Sequence, residues 1–467
     1  MRRTNLIIAS SLICMAGIYL GRYIDLYLAV FVFGLLVVLS SKNGTFVFQL
    51  GIMMLALSIG NLRGSIQNKG FEQLRSHFET KTTIIGRSLD DAEYDSRGQL
   101  AFSLNHIILD GQEVPGQVTV SGFGEVSVQR GDLVEVTGKI FSARGSNQAR
   151  VSFAQLDVVE KDSQWYNALR RKLNKALRDS LPEPQSSFAG GLLIGQRSTI
   201  PDEVINSLRT TGLAHIIAVS GYNLTIMVRF VMRVLKRLSR YQKMLISTSV
   251  IVTFLLITGF SASIVRAGIV CGLSLLAWYY GRTFRPGVLL GIVALATSFY
   301  RPEYVWGDAG WYLSFLAFTG IMIVSPVLQY RIFKDRQPKL VGKLLVETVS
   351  VLIMVTPYSL MLFGTMSFIA LPANMLVVPL IPLAMGLSAV CIFLPHWLAL
   401  LSLPANLVLS VILELSRALA SLPGASMGVK INLAEALTIY GAIVIVVFMM
   451  WNKSRRRLGG NILVQYN

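Results

Sequence analysis

The feature that most constrains this chain is a succession of apolar runs too long and too numerous for one soluble core. Three occupy residues 6–20, 26–40 and 45–62, and nine more follow at 213–232, 244–260, 264–280, 288–300, 311–329, 344–363, 368–385, 387–403 and 433–451. A membrane-crossing helix needs about 20 apolar residues, with a lower limit near 17, so the shorter runs must recruit flanking residues. Hydrophobic residues make up 53% of the chain and charged ones 15%, where soluble domains carry about 25% charged residues, which excludes a purely soluble protein. Arg2 and Arg3 ahead of the first run resemble the start of a signal peptide, but Arg22 and Asp25 follow without a small-residue cleavage site. Three closely spaced spans are therefore expected. Pro372, Pro379, Pro382 and Pro395 interrupt the late runs, which fits either a cavity lined by broken backbone or ordinary proline kinks.

Between residues 63 and 163 the pattern changes to period two. Stretches at 82–87, 99–108, 116–121, 132–140 and 150–159 read as five short strands separated by turn residues. A small OB-like barrel accommodates them, with a short β-sandwich as the alternative. Eight basic residues face eleven acidic ones between Lys81 and Lys161, and Phe102, Phe141 and Phe153 are expected in the core. As a single-strand-binding surface this barrel gives a weak signal.

Residues 164–184 follow as an amphipathic helix. Trp165, Leu169, Leu173, Leu177 and Leu181 recur every fourth position, while Arg170, Arg171, Lys172, Lys175 and Arg178 fill the other faces. Such a helix suits the headgroup layer, and Pro182 and Pro184 end it.

The formal net charge of +18 sits mostly in short loops. Arg229, Arg233, Lys236, Arg237, Arg240 and Lys243 form one run, Arg331 to Lys343 holds another, and Lys453, Arg455, Arg456 and Arg457 close the series. The positive-inside rule puts all three, and both termini, in the cytoplasm, and delivers the β-domain to the outer face. The expected fold is thus a polytopic α-helical membrane protein of about a dozen apolar segments with a small extracytoplasmic all-β domain. Its parts are N-terminal helices (1–62), the β-domain (63–163), the interfacial helix (164–184), a membrane domain (185–452) and a basic tail (453–467). Cys14, Cys271 and Cys391 lie in apolar runs, and four scattered histidines lack ligand spacing, so no disulfide framework, metal or cofactor is expected.

Four blocks stand out in the membrane domain. The first joins Gly190, Gly191 and Gly195 to Gly212, His215, Ser220, Gly221, Tyr222 and Asn223. The others are Ser263 to Gly268 around Arg266, Asp308 to Ala317 including Ser314, and Leu362 to Pro379 including Asn374. In order and spacing they resemble the ComEC-type competence family of DNA-uptake channels. Many members of that family carry His where Asn223 stands and Gly-Phe-Gln where Gly310, Trp311 and Tyr312 stand. Larger members continue into a metallo-β-lactamase-like domain whose His-x-His-x-Asp-His motif this sequence lacks.

The resemblance implies passage of single-stranded DNA across the cytoplasmic membrane during natural transformation. It implies as partners the DNA, membrane lipids, a DNA receptor, a separate nuclease and a cytoplasmic motor, with the oligomeric state open. His215, Ser220, Asn223, Arg266, Asp308, Ser314 and Asn374 are the candidates for the DNA path, and Gly190, Gly191, Gly195, Gly212 and Gly221 leave room for close helix approach or for substrate. Three candidates have a plain structural role beside the functional one: an interhelical bond for His215, a helix cap for Asn374, and snorkelling for Arg266, whose other reading is a pair with Asp308. Two other classes compete: a transporter or flippase for another anionic polymer or lipid-linked substrate, and a membrane hydrolase using Ser220. The last lacks an orienting carboxylate and an esterase elbow, so a non-enzyme is expected.

Overall fold

The computed structural model describes residues 3–40, 45–94, 99–123, 128–143, 147–217, 220–282, 285–334, 338–393 and 400–458. Pro395, His396 and the end of the basic tail lie outside them. The protein is mostly helical, and among the described residues eight helices are long and apolar enough to cross a membrane, with three shorter apolar ones beside them. The chain divides into two compact units, residues 1–169 with 291–311, and residues 170–290 with 312–467.

The first unit begins with helices Arg3–Leu20, Tyr27–Ser40 and Thr45–Gly70. Gly17 on the first and Gly21 just past its end, and Gly60 and Gly64 on the third, face the other segment so closely that a methyl group at any of them would overlap main-chain atoms of Leu57, Asn61, Cys14 or Ile18. Glycine pairs four apart let backbones approach in this way. The third helix does not stop at residue 62, where the apolar run ends. Its polar continuation is satisfied by named bonds instead: Asn61 donates to Ile24 O at 3.0 Å and accepts from Leu26 N at 2.8 Å, and Arg63 donates to Phe299 O at 3.0 Å. Asp25 accepts from Ser65 and pairs with Lys69 at 2.9 Å.

The β-domain follows as β1 (Lys81–Ser88), β2 (Glu93–Tyr94), β3 (Leu100–Leu109), β4 (Gln112–Val114), β5 (Val118–Phe123), β6 (Leu133–Ser142) and β7 (Ala149–Glu160). The five long strands fall where period-two alternation predicts them, each within a few residues. β1 pairs with both β3 and β6, β6 with β7, β7 with β5 and β5 with β3, so the five close into a ring. Only β5 and β7 in that ring run parallel. Inward residues such as Ile84, Leu104, Val120, Val136, Ile140 and Val151 fill the interior. Phe102 joins that core as expected, whereas Phe141 and Phe153 do not: Phe141 is only half-buried, against Lys139 and Arg150, and at Phe153 the register shifts at a bulge in β7, with φ +56° and the residue 67% exposed. A bulge turns two successive side chains to the same face, and strict alternation cannot anticipate it.

The second unit is built almost wholly of helices. The amphipathic helix is Trp165–Ser180; Arg171, Lys172, Lys175 and Arg178 on it are exposed, but Arg170 is buried, unlike its expected place among headgroups. The expected span at 213–232 is not one helix. It divides into a turn at Ala214–Ile217 and a helix at Gly221–Val234, because Ser220 adopts an extended conformation and begins a new helix. Helix Leu403–Ala420 is a span that the apolar runs pass over, since Glu414 and Arg417 interrupt its hydropathy. Run 368–385 and the first residues of run 387–403 form one interrupted span, Ala370–Cys391, with a tight turn at Val378–Leu380 beside Pro379, while 394–399 lie outside the described residues and 400–403 open the next span.

Two further helices are locally irregular. Gly320–Val324 is a π-helical turn inside the span Ala309–Phe333. Helix Leu340–Phe363 contains Pro357, and there the Tyr440 hydroxyl enters the ladder, accepting from Tyr358 N at 3.2 Å and donating to Met354 O at 2.9 Å. Such inserted groups bend helices.

Candidate functional site

Gly212 turns the chain out of helix Asp202–Thr210 with φ +72°, and a Cβ there would come within 2.8 Å of Ala370. Left-handed backbone and lack of space both require glycine at this corner. His215, three residues on, is exposed, with Nδ1 3.2 Å from Gly212 O. Ser220 then donates to Asn223 Oδ1 at 3.3 Å, and Asn223 Nδ2 donates to Leu192 O at 3.1 Å. That last bond ties the block at residues 190–195 to the block at 212–223. Gly190 and Gly191 lie in helix Gln185–Ile194, and Gly195 caps it with φ +78°.

The first turn of helix Gly221–Val234 rests on helix Ala262–Tyr279. A Cβ on Gly221 would stand 3.0 Å from Ala267 Cβ and 3.6 Å from Arg266 Nη2. Leu224, Ile251, Phe254, Ile264, Ala267 and Leu275 form the apolar core that fixes this crossing. Arg266 is only 8% exposed, with its guanidinium carbon 5.6 Å from the Phe315 ring centre and 5.3 Å from that of Phe318. Its Nε has no hydrogen-bond partner among the described residues. One helical turn earlier, Ser263 Oγ lies 3.2 Å from Ser314 Oγ.

The two aromatic faces attract the guanidinium and fix its plane without neutralising it. An intramembrane arginine ordinarily pairs with a carboxylate or lines a water-filled path. Here the positive end of a 14-residue helix adds to its charge. The cluster of Gly221, Ser263, Arg266, Ser314, Phe315 and Phe318 therefore favours an anion, with hydroxyls beside it. Phe315 lies within the third block and Phe318 just beyond it, but neither stands out as a site residue, because aromatic residues at helical spacing look like ordinary lipid-facing or core positions.

Asp308 and Asn374 have local duties. Asp308 accepts from Trp311 N at 2.6 Å, starting the helix that follows, and belongs to the first unit. Asn374 Nδ2 donates to Ala370 O at 2.7 Å within its own helix.

The β-domain carries a second distinctive surface. Phe123, 58% exposed, and Phe153 place their ring centres 6.1 Å apart on β5 and β7. Phe141 lies between Lys139 Nζ at 5.4 Å and the Arg150 guanidinium at 5.5 Å. Lys81 stands directly opposite Lys139 on the paired strand. Like charges in that position repel, so an anion placed over them is stabilised. The acidic total of the domain hides this locally cationic, aromatic face.

Residues 192–454 match the family described as competence protein. ComE operon protein 3 of Bacillus subtilis (strain 168) is 23% identical over 214 residues, which take in 45% of this chain and 27% of that protein. The chain thus aligns with about a quarter of that relative's length. No solved structure matches the chain.

Proposed function

Because the chain belongs to the competence protein family, whose match takes in more than half of it, we propose that it is the cytoplasmic-membrane channel through which single-stranded DNA enters the cell during natural transformation. Arg266 carries this reading: a buried guanidinium held between Phe315 and Phe318 beside the start of a broken helix is a counter-charge for a passing phosphate. A polyanion crossing hydrocarbon needs such groups, since unscreened phosphates there are prohibitively costly.

The exposed Phe123–Phe153 pair, together with Lys139 and Arg150 flanking Phe141 on the same barrel, favours DNA over a lipid-linked anion, because every base has a face to stack and phosphates meet the cations. The closed five-stranded ring is read as OB-like, and the β-domain as extracytoplasmic, with both termini inside and about a dozen apolar segments in all. A DNA receptor, a nuclease and a cytoplasmic motor would act with it. The protein is read as a transporter rather than an enzyme, since the Ser220 hydroxyl is directed to Asn223.

Deleting the gene in a transformable host is expected to abolish DNA entry into the cytoplasm while surface binding persists; normal transformation by the deletion strain would refute the proposal. Phe153→Gly supplies a narrower prediction. Glycine accepts the left-handed backbone at this position, so the ring is removed without strain. Affinity for a fluorescent single-stranded oligonucleotide, followed by anisotropy, should fall about tenfold, the scale of one lost stacking contact. Unchanged affinity would remove the β-domain from the path.

A further inference from the structure

The first unit holds a cavity of about 210 Å³ whose walls include Gln67, Gly116, Tyr300, Arg301, Glu303 and Tyr304. Glu303 is 8% exposed. Its Oε1 accepts from Gln67 Nε2 at 2.7 Å, and the Gln67 Oε1 accepts in turn from Arg63 Nη1 at 2.8 Å. The carboxyl group is thus positioned by two residues of helix Thr45–Gly70. Its other oxygen, Oε2, is buried without a hydrogen-bond partner among the described residues. An orphaned buried acceptor is costly and rare, and is explained when a ligand supplies the missing donor.

The walls restrict what that ligand can be. Arg301 repels a metal ion, and Glu303 is the one carboxylate among the lining residues. Burial pushes the Glu303 carboxyl group above the usual range, against the pull of Arg301 and Arg63. At about 210 Å³ the space is below the roughly 300–1,000 Å³ of pockets for drug-sized ligands, so it fits one small ring system. Tyr300, 67% exposed, offers an aromatic face at the mouth, and Tyr304 lies buried within. A sugar would bring several hydroxyls to a cavity whose Gln67 amide is already engaged at both ends. A planar heterocycle with one donor and one acceptor on its edge matches the Glu303 carboxyl group and the Arg301 guanidinium, with Gln117 also in the wall.

We propose that this cavity receives a single nucleobase, its edge N–H donating to Glu303 Oε2, its acceptor facing Arg301 and its ring stacked on Tyr300. Splayed bases are read elsewhere by the same combination of edge hydrogen bonds and aromatic stacking. The assignment rests on the reading of the protein as a DNA channel and adds a place where a base, rather than the backbone, is held.

Photo-crosslinking of the full chain in nanodiscs tests it, using a 12-mer single strand containing 5-iododeoxyuridine with crosslinked peptides mapped by mass spectrometry. A crosslink to the peptide containing Tyr300 and Tyr304 is expected, falling at least tenfold in Glu303→Leu. Tyr300→Ala, a change at an exposed ring that leaves the fold intact, should shift or remove it as well. Crosslinks elsewhere with none at this peptide would overturn the pocket and leave the channel reading standing. A crosslink here undiminished in both variants would also overturn it. Absence of any binding or crosslink to the wild-type chain would overturn the channel reading, and the pocket with it.

Discussion

Arg266→Leu is expected to lower transformation about a hundredfold while leaving the folded protein at least as stable as before. Leucine keeps apolar volume against Phe315 and Phe318 and removes a buried charge whose Nε has no hydrogen-bond partner among the described residues. Replacing buried charge by apolar side chains of similar volume is often neutral or stabilising by roughly 1–4 kcal/mol. A structural arginine would behave in the opposite way, since losing it would lower stability and the amount of protein together. Removing a charge-assisted contact of about 2–3 kcal/mol from the passage of each phosphate slows transport by about two orders of magnitude. Arg266→Lys should recover part of the loss, because a point charge replaces the guanidinium plane but stacks less well on the two rings. The paired measurements are transformation frequency and thermal stability of the detergent-solubilised protein. A fall in both together would place Arg266 among the structural residues.

How much of this was legible beforehand depends on which physical rule each residue obeys. Apolar runs marked most of the spans because bilayer thickness sets a length that composition reveals directly. Alternation located all five long strands because one face of each is buried in the ring. Readings failed where backbone geometry overrode the pattern. Phe153 alternates like a core residue, but the bulge turns it outward. Residues 213–232 are apolar throughout, yet Ser220 and Gly221 start a new helix inside them. Helix Leu403–Ala420 carries Glu414 and Arg417, which form an ion pair at 2.7 Å and so add less to its polarity than hydropathy assumes. At the candidate site, the blocks pointed to Ser220, Asn223 and Arg266, but not to what they touch. The bond from Asn223 to Leu192 and the two rings beneath Arg266 join segments far apart in sequence. No local spacing encodes such contacts. Glu303 was invisible for a related reason: a carboxylate in the polar stretch between two apolar runs looks solvated until its burial is known.

Gly60→Ile is expected to prevent the protein from accumulating in folded form. The obstacle at Gly60 is the carbonyl of Cys14, main chain on both sides, so no flexible side chain can move aside. Helices Arg3–Leu20 and Thr45–Gly70 would have to separate along the glycine contacts at Gly17, Gly21, Gly60 and Gly64, exposing buried Cys14 and Ile18. Losses above about 4–5 kcal/mol are exceptional for one substitution, and forced separation of packed backbones belongs to that class. Separation would also pull Asn61 from the loop it bridges and displace Gln67, on the same helix, from Glu303. Gly60→Ala should be milder, at a fraction of the wild-type yield, and the surviving fraction should show a weakened crosslink at Tyr300 and Tyr304. Gly272 supplies the contrast. A Cβ there meets nothing within 4 Å, so Gly272→Ala should gain up to about 1 kcal/mol from helix propensity alone. Fluorescence-detected size exclusion of tagged variants measures all three. Equal yields for Gly60→Ile and the wild type would mean that the first and third helices do not depend on this contact.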